Sequence, residues 1–241
     1  MRLAFDDTLR ARLRDNLARH ERLDLDHGEA RHAAVAVVVV DSDEVEHGHD
    51  PHPALPERMT DIPGTEGLEL SGSVAGTAGG PAVLLTRRAP KLRAHAGQWA
   101  LPGGRVDQAE RPVEAALREL REELGLSLAE DTLLGVLDDY ATRSGYVITP
   151  FVFWGGADPE LAPDPDEVQS VHRVAFTELC RPDSPRFVTI PESDRPVVQM
   201  PIGGDLIHAP TGAVLLQFRR VAIEGVSERV AHYEQPVFAW K

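Results

Sequence analysis

The feature that most constrains the fold is an unbroken apolar run, AAVAVVVV, at residues 33–40. Side chains branched at Cβ favour extended structure, and a strand without alternating polar residues is buried on both faces. The run therefore predicts the first strand of a central sheet, with other structure packed on each side. A chain of 241 residues is ample for one domain with a full core.

Other elements follow from shorter patterns. Leu9, Leu13 and Leu17 recur every four residues, which predicts a packed amphipathic helix within residues 3–22. We therefore expect residues 1–30 to form a helical extension of a domain at 31–241. Further strands are predicted at 82–86, 132–140, 146–154 and 168–174.

Two regions have less regular patterns. Residues 41–80 are rich in Gly, Pro, His and acids, which predicts a mobile loop insertion that is either a lid or disordered. Its His47, His49 and His52 form either a metal-binding tract or part of a solvated loop. Near the C-terminus, we expect irregular structure at 181–201, a helix or a strand at 213–221, and a strand at 229–240.

Composition excludes several classes of function. The net charge of −14 produces a surface that repels nucleic acid polymers and anionic membranes. A single cysteine, Cys180, excludes a disulfide framework and fits a reducing cytoplasm. The N-terminus lacks the features of a secretion signal, and no apolar run has the length needed to span a bilayer. We therefore expect a cytoplasmic protein with no membrane partner.

The segment at residues 104–126, GRVDQAERPVEAALRELREELGL, combines a glycine turn with a helix. At about 100° per residue, five apolar residues form a core-facing stripe, namely Val113, Ala116, Leu117, Leu120 and Leu124. Glu119, Glu122 and Glu123 are predicted to share the exposed side, and Glu114 to pair with Arg118. Crowded carboxylates repel one another, so the patch is either a solvated helix face or a site for a cation, and its oxygen donors suit Mg²⁺ or Mn²⁺.

The same segment resembles the Nudix box, with every fixed position of that pattern filled: Gly104, Glu110, Arg118-Glu119-Leu120, Glu122-Glu123 and Gly125-Leu126. The resemblance implies an α/β protein of Nudix fold, an α/β/α sandwich around a mixed sheet, with a short helix at 176–179. It also implies hydrolysis of a nucleoside diphosphate linked to another group. The family uses divalent cations held by glutamates of the box.

Roles within the box follow from position. We expect Gly104, Glu119, Glu122 and Glu123 to bind the metal, with glycine allowing the backbone to approach closely. Glu110 is expected to pair with Arg118 or to brace the junction between loop and helix. Gly125 is the expected C-cap of the helix.

A second motif lies just upstream and is similar to the additional signature of Nudix coenzyme A diphosphatases: Leu84-Leu85-Thr86, Arg88-Ala89, Arg93, Gly97 and Leu101-Pro102-Gly103-Gly104. Its main departure is Leu101, where that signature usually has phenylalanine. The resemblance implies that Arg88, Arg93 and Gly97 contact or support the coenzyme end of the substrate. Ser144 and Gly145 lie in a later run also similar to that subfamily and are expected either to line the site or to form only a turn.

Glu167 is the candidate general base, because many Nudix enzymes place a further glutamate at about this point. A base needs only to deprotonate a water whose pKa a metal has already lowered. If Glu167 is structural, Glu119 or Glu122 must take that role. The catalytic set is therefore Glu119, Glu122 and Glu167.

The hypothesis is a hydrolase that cleaves coenzyme A or an acyl derivative to 3′,5′-ADP and 4′-phosphopantetheine. Its expected partner is a small nucleotide substrate, and a homodimer is an assembly common in the family. A Nudix hydrolase of another diphosphate, such as ADP-ribose, a dinucleotide or a nucleoside triphosphate, is the alternative, because the C-terminal part departs from the subfamily. A non-enzymatic binding module is the third, although such proteins usually have an eroded box.

Overall fold

The computed structural model describes residues 3–50, 64–65, 68–75, 79–91 and 97–240. Its helices are α1 (Asp7–Arg19), α2 (Glu44–His47), α3 (Pro112–Leu124), α4 (Phe176–Leu179) and α5 (Thr211–Gln217), continued by a π-helical turn at Phe218–Ile223. Short 3₁₀ turns occupy Glu130–Thr132 and Val237–Trp240. Its strands are β1 (Arg31–Ser42), β2 (Gly80–Arg88), β3 (Trp99–Ala100), β4 (Gly103–Arg105), β5 (Leu133–Val136), β6 (Tyr140–Ala141), β7 (Tyr146–Gly156), β8 (Val168–Ala175), β9 (Arg186–Ile190), β10 (Ser193–Ile202) and β11 (Asp205–His208).

The central strand of the first sheet is β1, as its apolar sequence predicts. On one edge β1 runs parallel to β7. On the other edge it pairs with β2 near its end, where Val39 lies opposite Val83, and with β4 near its start, where Ala33 lies opposite Arg105. Strands β1 and β2 therefore separate, and the segment that carries β3 and β4 fills the gap between them.

Burial of β1 on both faces is confirmed. Alternate residues of the strand, such as Val38 and Val40, pack with Leu120 and Leu124 of α3. The residues between them, such as Val37, pack on the other side with α1, α5 and a second sheet. Each fully buried valine or leucine contributes roughly 1.5–3 kcal/mol relative to exposure, so this strand anchors both layers of the core.

The second sheet has the strand order β11-β10-β9. Our prediction that residues 181–201 are irregular is therefore wrong. Pro196 falls where the pairing of β9 with β10 shifts register between Ser193 and Val197, and proline is tolerated at such irregularities. The proline content suggested a loop, but the strand accommodates it.

The strand predicted at 229–240 is also wrong. Within that segment Glu234 makes only an isolated bridge to Val197, and the chain continues as the 3₁₀ turn Val237–Trp240. Pro236 provides a reason, because it lacks the N–H that a strand ladder needs. At 213–221 the choice between helix and strand is settled as helix.

Helix α1 confirms the N-terminal prediction over a shorter range. Asp6 caps it, with Oδ1 accepting a hydrogen bond from the N–H of Leu9 at 2.8 Å, and Leu9, Leu13 and Leu17 are buried. No helix within the described ranges combines the length and the apolar character needed to cross a bilayer.

Parts of the predicted insertion at 41–80 are attached to the first sheet. Asp43 caps α2, and His47 contributes to the same turn because its Nδ1 accepts the N–H of Asp43 at 2.8 Å. The carbonyl of Val74, which is buried, accepts the N–H of Ala175 at 3.2 Å. This use of His47 favours a structural role over the metal-binding tract, and His52 lies outside the described residues.

Candidate active site

Helix α3 places the glutamates of the box against β4, the short strand that pairs with the start of β1. Pro112 is its first residue, and the N–H of Arg111 donates to Oε2 of Glu114 at 2.9 Å, which closes the first turn. Gly125 ends the helix with φ of 65°, as predicted for a C-cap. The apolar stripe lies on the core, except that Leu117 is only partly buried.

Glu123 corrects one prediction about this helix. It was expected on the exposed side, but it is buried, with 5% of its surface accessible. Three residues after Leu120 and seven after Ala116, it borders the apolar stripe, about 20° around the helix from Ala116. The three glutamates therefore form a fan from the exposed Glu122, through Glu119, to the buried Glu123.

Two glycines bring β4 against this fan. The N–H of Gly103 donates to Oε2 of Glu123 at 3.3 Å. Gly103 has φ of 154°, and a Cβ there would overlap the backbone of Ala34, so a larger residue is excluded by the strand beside it. At Gly104 a Cβ would overlap the carboxylate of Glu119. The missing side chain at Gly104 therefore lets the Glu119 carboxylate lie against the backbone of β4.

The electrostatics of the fan favour a cation. Burial, and after it the charge of the neighbouring Glu119, raises the pKa of the Glu123 carboxyl to about 8. Burial also raises the pKa of Glu119, against the opposing effect of Arg118. Because adjacent buried carboxylates oppose one another's ionisation, positive charge placed between them stabilises the ionised pair.

Arg118 ties the fan to the preceding loop. Its Nε donates to Glu110 at 2.9 Å, so the predicted pair is confirmed. Its Nη1 donates to Glu119 at 2.7 Å and to Glu122 at 3.1 Å, contacts that the sequence analysis missed although the i,i+4 spacing to Glu122 indicated one of them. The predicted pair of Arg118 with Glu114 is wrong, because Glu114 bonds Arg111 instead.

Three of the predicted residues, Arg88, Gly97 and Glu167, lie together at the end of β2. The N–H of Gly97 donates to the carbonyl of Arg88 at 2.9 Å, and the N–H of Ala89 donates to the carbonyl of Glu167 at 2.8 Å. The charge of Glu167 raises the pKa of Glu123, whereas that of Arg88 lowers it, so both side chains lie near this carboxylate. The structure thus places Arg88 and Glu167 near the fan, with Gly97 bonded to the backbone of Arg88.

The guanidinium of Arg88 is held by few contacts. Its buried Nε has no hydrogen-bond partner among the described residues. A buried donor in that condition costs roughly 1–3 kcal/mol, unless a ligand supplies the acceptor. Arg93, the other arginine of the upstream motif, lies outside the described residues.

Ser144 and Gly145 lie elsewhere, in the turn between β6 and β7. The carbonyl of Gly145 accepts the N–H of Arg31 at 3.0 Å, and Oγ of Ser144 lies 3.1 Å from Oγ1 of Thr142. The structure therefore places them at the start of β1, and none of their recorded contacts joins them to the glutamate fan.

A separate group of potential ligands lies at Asp24, His27 and Asp139, whose ligand atoms are within 4.8 Å of one another. The carboxylate of Asp139 already accepts hydrogen bonds from Arg22 at 2.7 Å and from Thr149 at 2.6 Å. The second oxygen of Asp139 accepts the N–H of Leu25 at 3.0 Å, so both of its oxygens are occupied, whereas Glu123 accepts a single hydrogen bond at 3.3 Å. This group is therefore a weaker candidate for a metal than the fan.

Comparison with known proteins decides the family. A profile of the NUDIX domain matches residues 73–194, about half of the chain. The chain belongs to the Nudix family. Its fold, a mixed sheet flanked by helices, is the Nudix fold expected from the box.

The chain is similar to Nudix relatives over part of its length. It is 40% identical over 99 residues to a protein of Pectobacterium atrosepticum named uncharacterized Nudix hydrolase NudL, covering 41% of this chain and 52% of that one. A protein of the same name from Photorhabdus laumondii is 35% identical over 111 residues, covering 46% and 59%. The chain thus spans about half the length of the curated relatives it matches.

Among solved structures, a MutT/nudix family protein from Enterococcus faecalis aligns with a TM-score of 0.49 and 15% identity, covering 89% of this chain and 73% of that one. A MutT NUDIX hydrolase from Burkholderia pseudomallei aligns with a TM-score of 0.36 and 24% identity, covering 63% of this chain and 88% of that one.

Proposed function

We propose that the chain is a metal-dependent Nudix hydrolase that cleaves the diphosphate of coenzyme A or acyl-coenzyme A, releasing 3′,5′-ADP and (acyl-)4′-phosphopantetheine. One observation carries the chemical part of this proposal. Glu119 and Glu123 lie against the glycines of β4, and the charges of Arg88 and Glu167 act on Glu123 from nearby. Carboxylates that would hold divalent cations, next to an arginine that would contact phosphate, suit a diphosphate substrate.

The side chains fit a divalent cation. Glu123 is a buried oxygen donor whose recorded hydrogen bond is a single weak one from Gly103, at 3.3 Å. The close fit of Gly104 against Glu119 leaves the local backbone near the carboxylates. We assign Mg²⁺ or Mn²⁺ to Glu119, Glu122, Glu123 and the backbone of Gly104, because hard oxygen ligands suit both ions.

A bound cation would supply neutralisation of the diphosphate and a lowered pKa for the attacking water. The chain's own residues supply position. Arg118 holds Glu119 and Glu122 in one orientation through its Nη1, which limits the reorganisation of these ligands. Glu167 is the general base in this proposal, since it is exposed and lies close enough to the fan for its charge to raise the pKa of Glu119. Glu119 and Glu122 are the alternatives for that role.

The substrate assignment rests on the upstream motif. Arg88 and Gly97 share a backbone hydrogen bond, so the motif forms one local unit at the end of β2. The unfilled donor capacity of Arg88 suits a phosphate oxygen of the coenzyme. Arg93 belongs to the same motif and is assigned with it.

The first test is product analysis by chromatography. The purified protein would be incubated with Mg²⁺ or Mn²⁺ and a panel of coenzyme A, acetyl-coenzyme A, ADP-ribose, NADH and nucleoside triphosphates. Release of 3′,5′-ADP well above turnover of the other compounds supports the proposal. Preference for another diphosphate keeps the hydrolase and rejects this substrate, whereas no turnover with either metal favours a binding module.

A matched pair of variants tests the metal assignment. Glu122→Gln should lower turnover by about two orders of magnitude or more while the fold is kept, because the side chain is exposed and lies away from the apolar stripe. Glu130→Gln changes an exposed glutamate outside the fan and should leave turnover unchanged. Equal activity of the two variants would remove Glu122 from the metal set.

A further inference from the structure

Two arginines lie against one tyrosine ring at the start of β1. The guanidinium carbon of Arg31 is 3.9 Å from the ring centre of Tyr146, and that of Arg105 is 5.5 Å from it. Arg105 also donates through Nε to the hydroxyl of Tyr146 at 2.7 Å. Strand register explains the cluster: Arg31 lies opposite Tyr146, and Arg105 lies opposite Ala33, two residues further along the same face.

The positive charge of this cluster is not neutralised by the described part of the chain. Neither Arg31 nor Arg105 forms an ion pair with a described carboxylate, although the protein carries a net charge of −14. Other arginines near the site, such as Arg118, are paired with acids. The Tyr146 ring attracts each guanidinium and keeps both in one place, and an anion between them would gain from the two charges together.

The cluster adjoins the proposed reaction centre. Arg105 directly follows Gly104, so their Cα atoms are about 3.8 Å apart. Its carbonyl accepts a hydrogen bond from Nη2 of Arg118 at 2.9 Å, and the same guanidinium binds Glu119. Successive strand residues point to opposite faces, so the cluster and the fan lie on opposite faces of β4, one residue apart along the strand. A substrate that reaches both would pass around this short strand, and the distance to cover is within the span of one nucleotide.

The neighbouring turn is held in place on its other side. Arg31 donates through Nη2 to the carbonyl of Ser144 at 2.8 Å. The residue before Ser144 is Arg143, which donates through Nε to Glu234 at 3.1 Å. This pairing lowers the pKa of the Glu234 carboxyl to about 2. The buried Glu234 thus fixes the turn while Arg31 keeps most of its N–H donors available.

We infer that Arg31, Arg105 and Tyr146 form a subsite that binds a phosphate monoester of the substrate outside the cleaved diphosphate. The inference rests on the proposed function, in which that group is the 3′-phosphate on the ribose of coenzyme A. Two guanidinium groups match a dianion, and the hydroxyl of Tyr146 holds Arg105 in position. The subsite would thereby separate coenzyme A from diphosphates without this phosphate.

Ligand binding without turnover tests the subsite directly. Calorimetry with Mg²⁺ would compare 3′,5′-ADP with 5′-AMP, which differ only in the 3′-phosphate. The wild-type protein should bind 3′,5′-ADP about 10- to 100-fold more tightly, and Arg31→Gln/Arg105→Gln should lose that preference. Arg14→Gln, an exposed change on α1, should retain it. Equal affinities for the wild type, or a preference kept by the double variant, would overturn the inference.

Kinetics separate this inference from the proposed function. For coenzyme A, kcat/KM of the double variant should fall by a similar factor, whereas for 3′-dephospho-coenzyme A it should change less than about threefold. An equal fall for both substrates would contradict the subsite and leave the hydrolase in place. If the wild type prefers 3′,5′-ADP over 5′-AMP and the double variant does not, but neither coenzyme is turned over, the proposed function is rejected and the subsite is kept.

Discussion

Arg87 and Arg88 are consecutive residues at the end of β2, yet their side chains lie in opposite environments because successive strand residues point to opposite faces. Arg87 faces the second sheet. Its Nη2 donates to Asp50 at 2.7 Å, its Nη1 lies 3.1 Å from Asp205, and its guanidinium stacks 4.1 Å from the ring centre of Trp99. Arg88 faces α3 and the glutamate fan and forms no ion pair with a described carboxylate, although Nε lacks a described hydrogen-bond partner in both arginines.

The difference indicates that, within one strand, Arg87 stabilises the fold, and it supports the proposal that Arg88 contacts the substrate. Two acids pair with the Nη atoms of Arg87 and fix three segments of the chain to one another, whereas Arg88 is partly buried and lies near the Glu123 carboxylate without an ion pair to a described residue. A buried ion-pair network stabilises one arrangement of the chain, while an arginine without such a pair can contact a ligand. The predictions below test this division.

The largest expected effect is on the fan. Glu123→Gln should lower kcat at least about 1000-fold, roughly 4 kcal/mol, because an amide is a poor ligand for the cation that the carboxylate would hold. Stability should be kept or should rise, since the neutral amide avoids burying a charge. Steady-state assays and thermal unfolding of the same preparation measure both effects. Activity within tenfold of wild type would remove Glu123 from the metal set.

On the other face, Arg87→Met should cost about 3 kcal/mol of unfolding free energy, because it removes the cation that pairs with the largely buried Asp50 and Asp205. Urea unfolding measures the change. In the double variant Arg87→Met/Asp205→Asn the cost should be less than the sum of the two single variants, since both remove the same pair. Additive costs would show that the pair does not act as one unit.

Arg88→Gln should show the opposite division. We expect kcat/KM to fall roughly 30- to 100-fold, as a charged contact to substrate is lost. The unfolding free energy should change far less than for Arg87→Met, because the side chain has few protein partners to abandon. A loss of stability equal to that of Arg87→Met would make Arg88 structural.

The sequence was sufficient to predict helix α3 and the central strand, but not the second sheet or the network around Arg87. The box and the strand at 33–40 depend on local spacing, so helix α3, its glycine cap and the central strand were predictable. The upstream resemblance indicates Arg88, which the structure places near the fan, and Gly97, which bonds its backbone. Glu123 lies only about 20° around the helix from Ala116, so its burial follows from the helical period although its charge favours the exposed side.

The second sheet was not predictable in this way. Its strands are defined by pairing with one another and by packing on α5, and the prolines of β10 suggested a loop. The network of Arg87 joins residues far apart in the chain, such as Trp99, whose Nε1 donates to Asp205 at 2.8 Å across 106 positions. No local spacing indicates contacts of that kind.

Acid should weaken the face closed by the second sheet. Burial lowers the pKa of His208 on β11 from its ordinary 6.5 to about 4. The unfolded chain therefore binds a proton below pH 6.5 that the folded chain refuses, so this stability is complete above pH 6.5 and is lost as pH falls towards 4. At pH 5 the loss should be about 2 kcal/mol by urea unfolding, and His208→Gln should abolish that part of the pH dependence. An unchanged pH profile in this variant would exclude His208 as its source.

The smallest effect on stability is expected for a variant of Arg111. This variant tests whether burial, and not the number of hydrogen bonds, makes Arg87 stabilising. Arg111 makes short hydrogen bonds to Glu114 and Glu130, yet all three side chains are about half exposed. Water screens such pairs, so Arg111→Ala should shift Tm by less than about 2 °C. The backbone N–H at this position still donates to Glu114 in the variant, which keeps the first turn of α3 closed. A Tm shift as large as that of Arg87→Met would mean that exposed pairs stabilise this fold as much as the buried network, and the division drawn across β2 would fail.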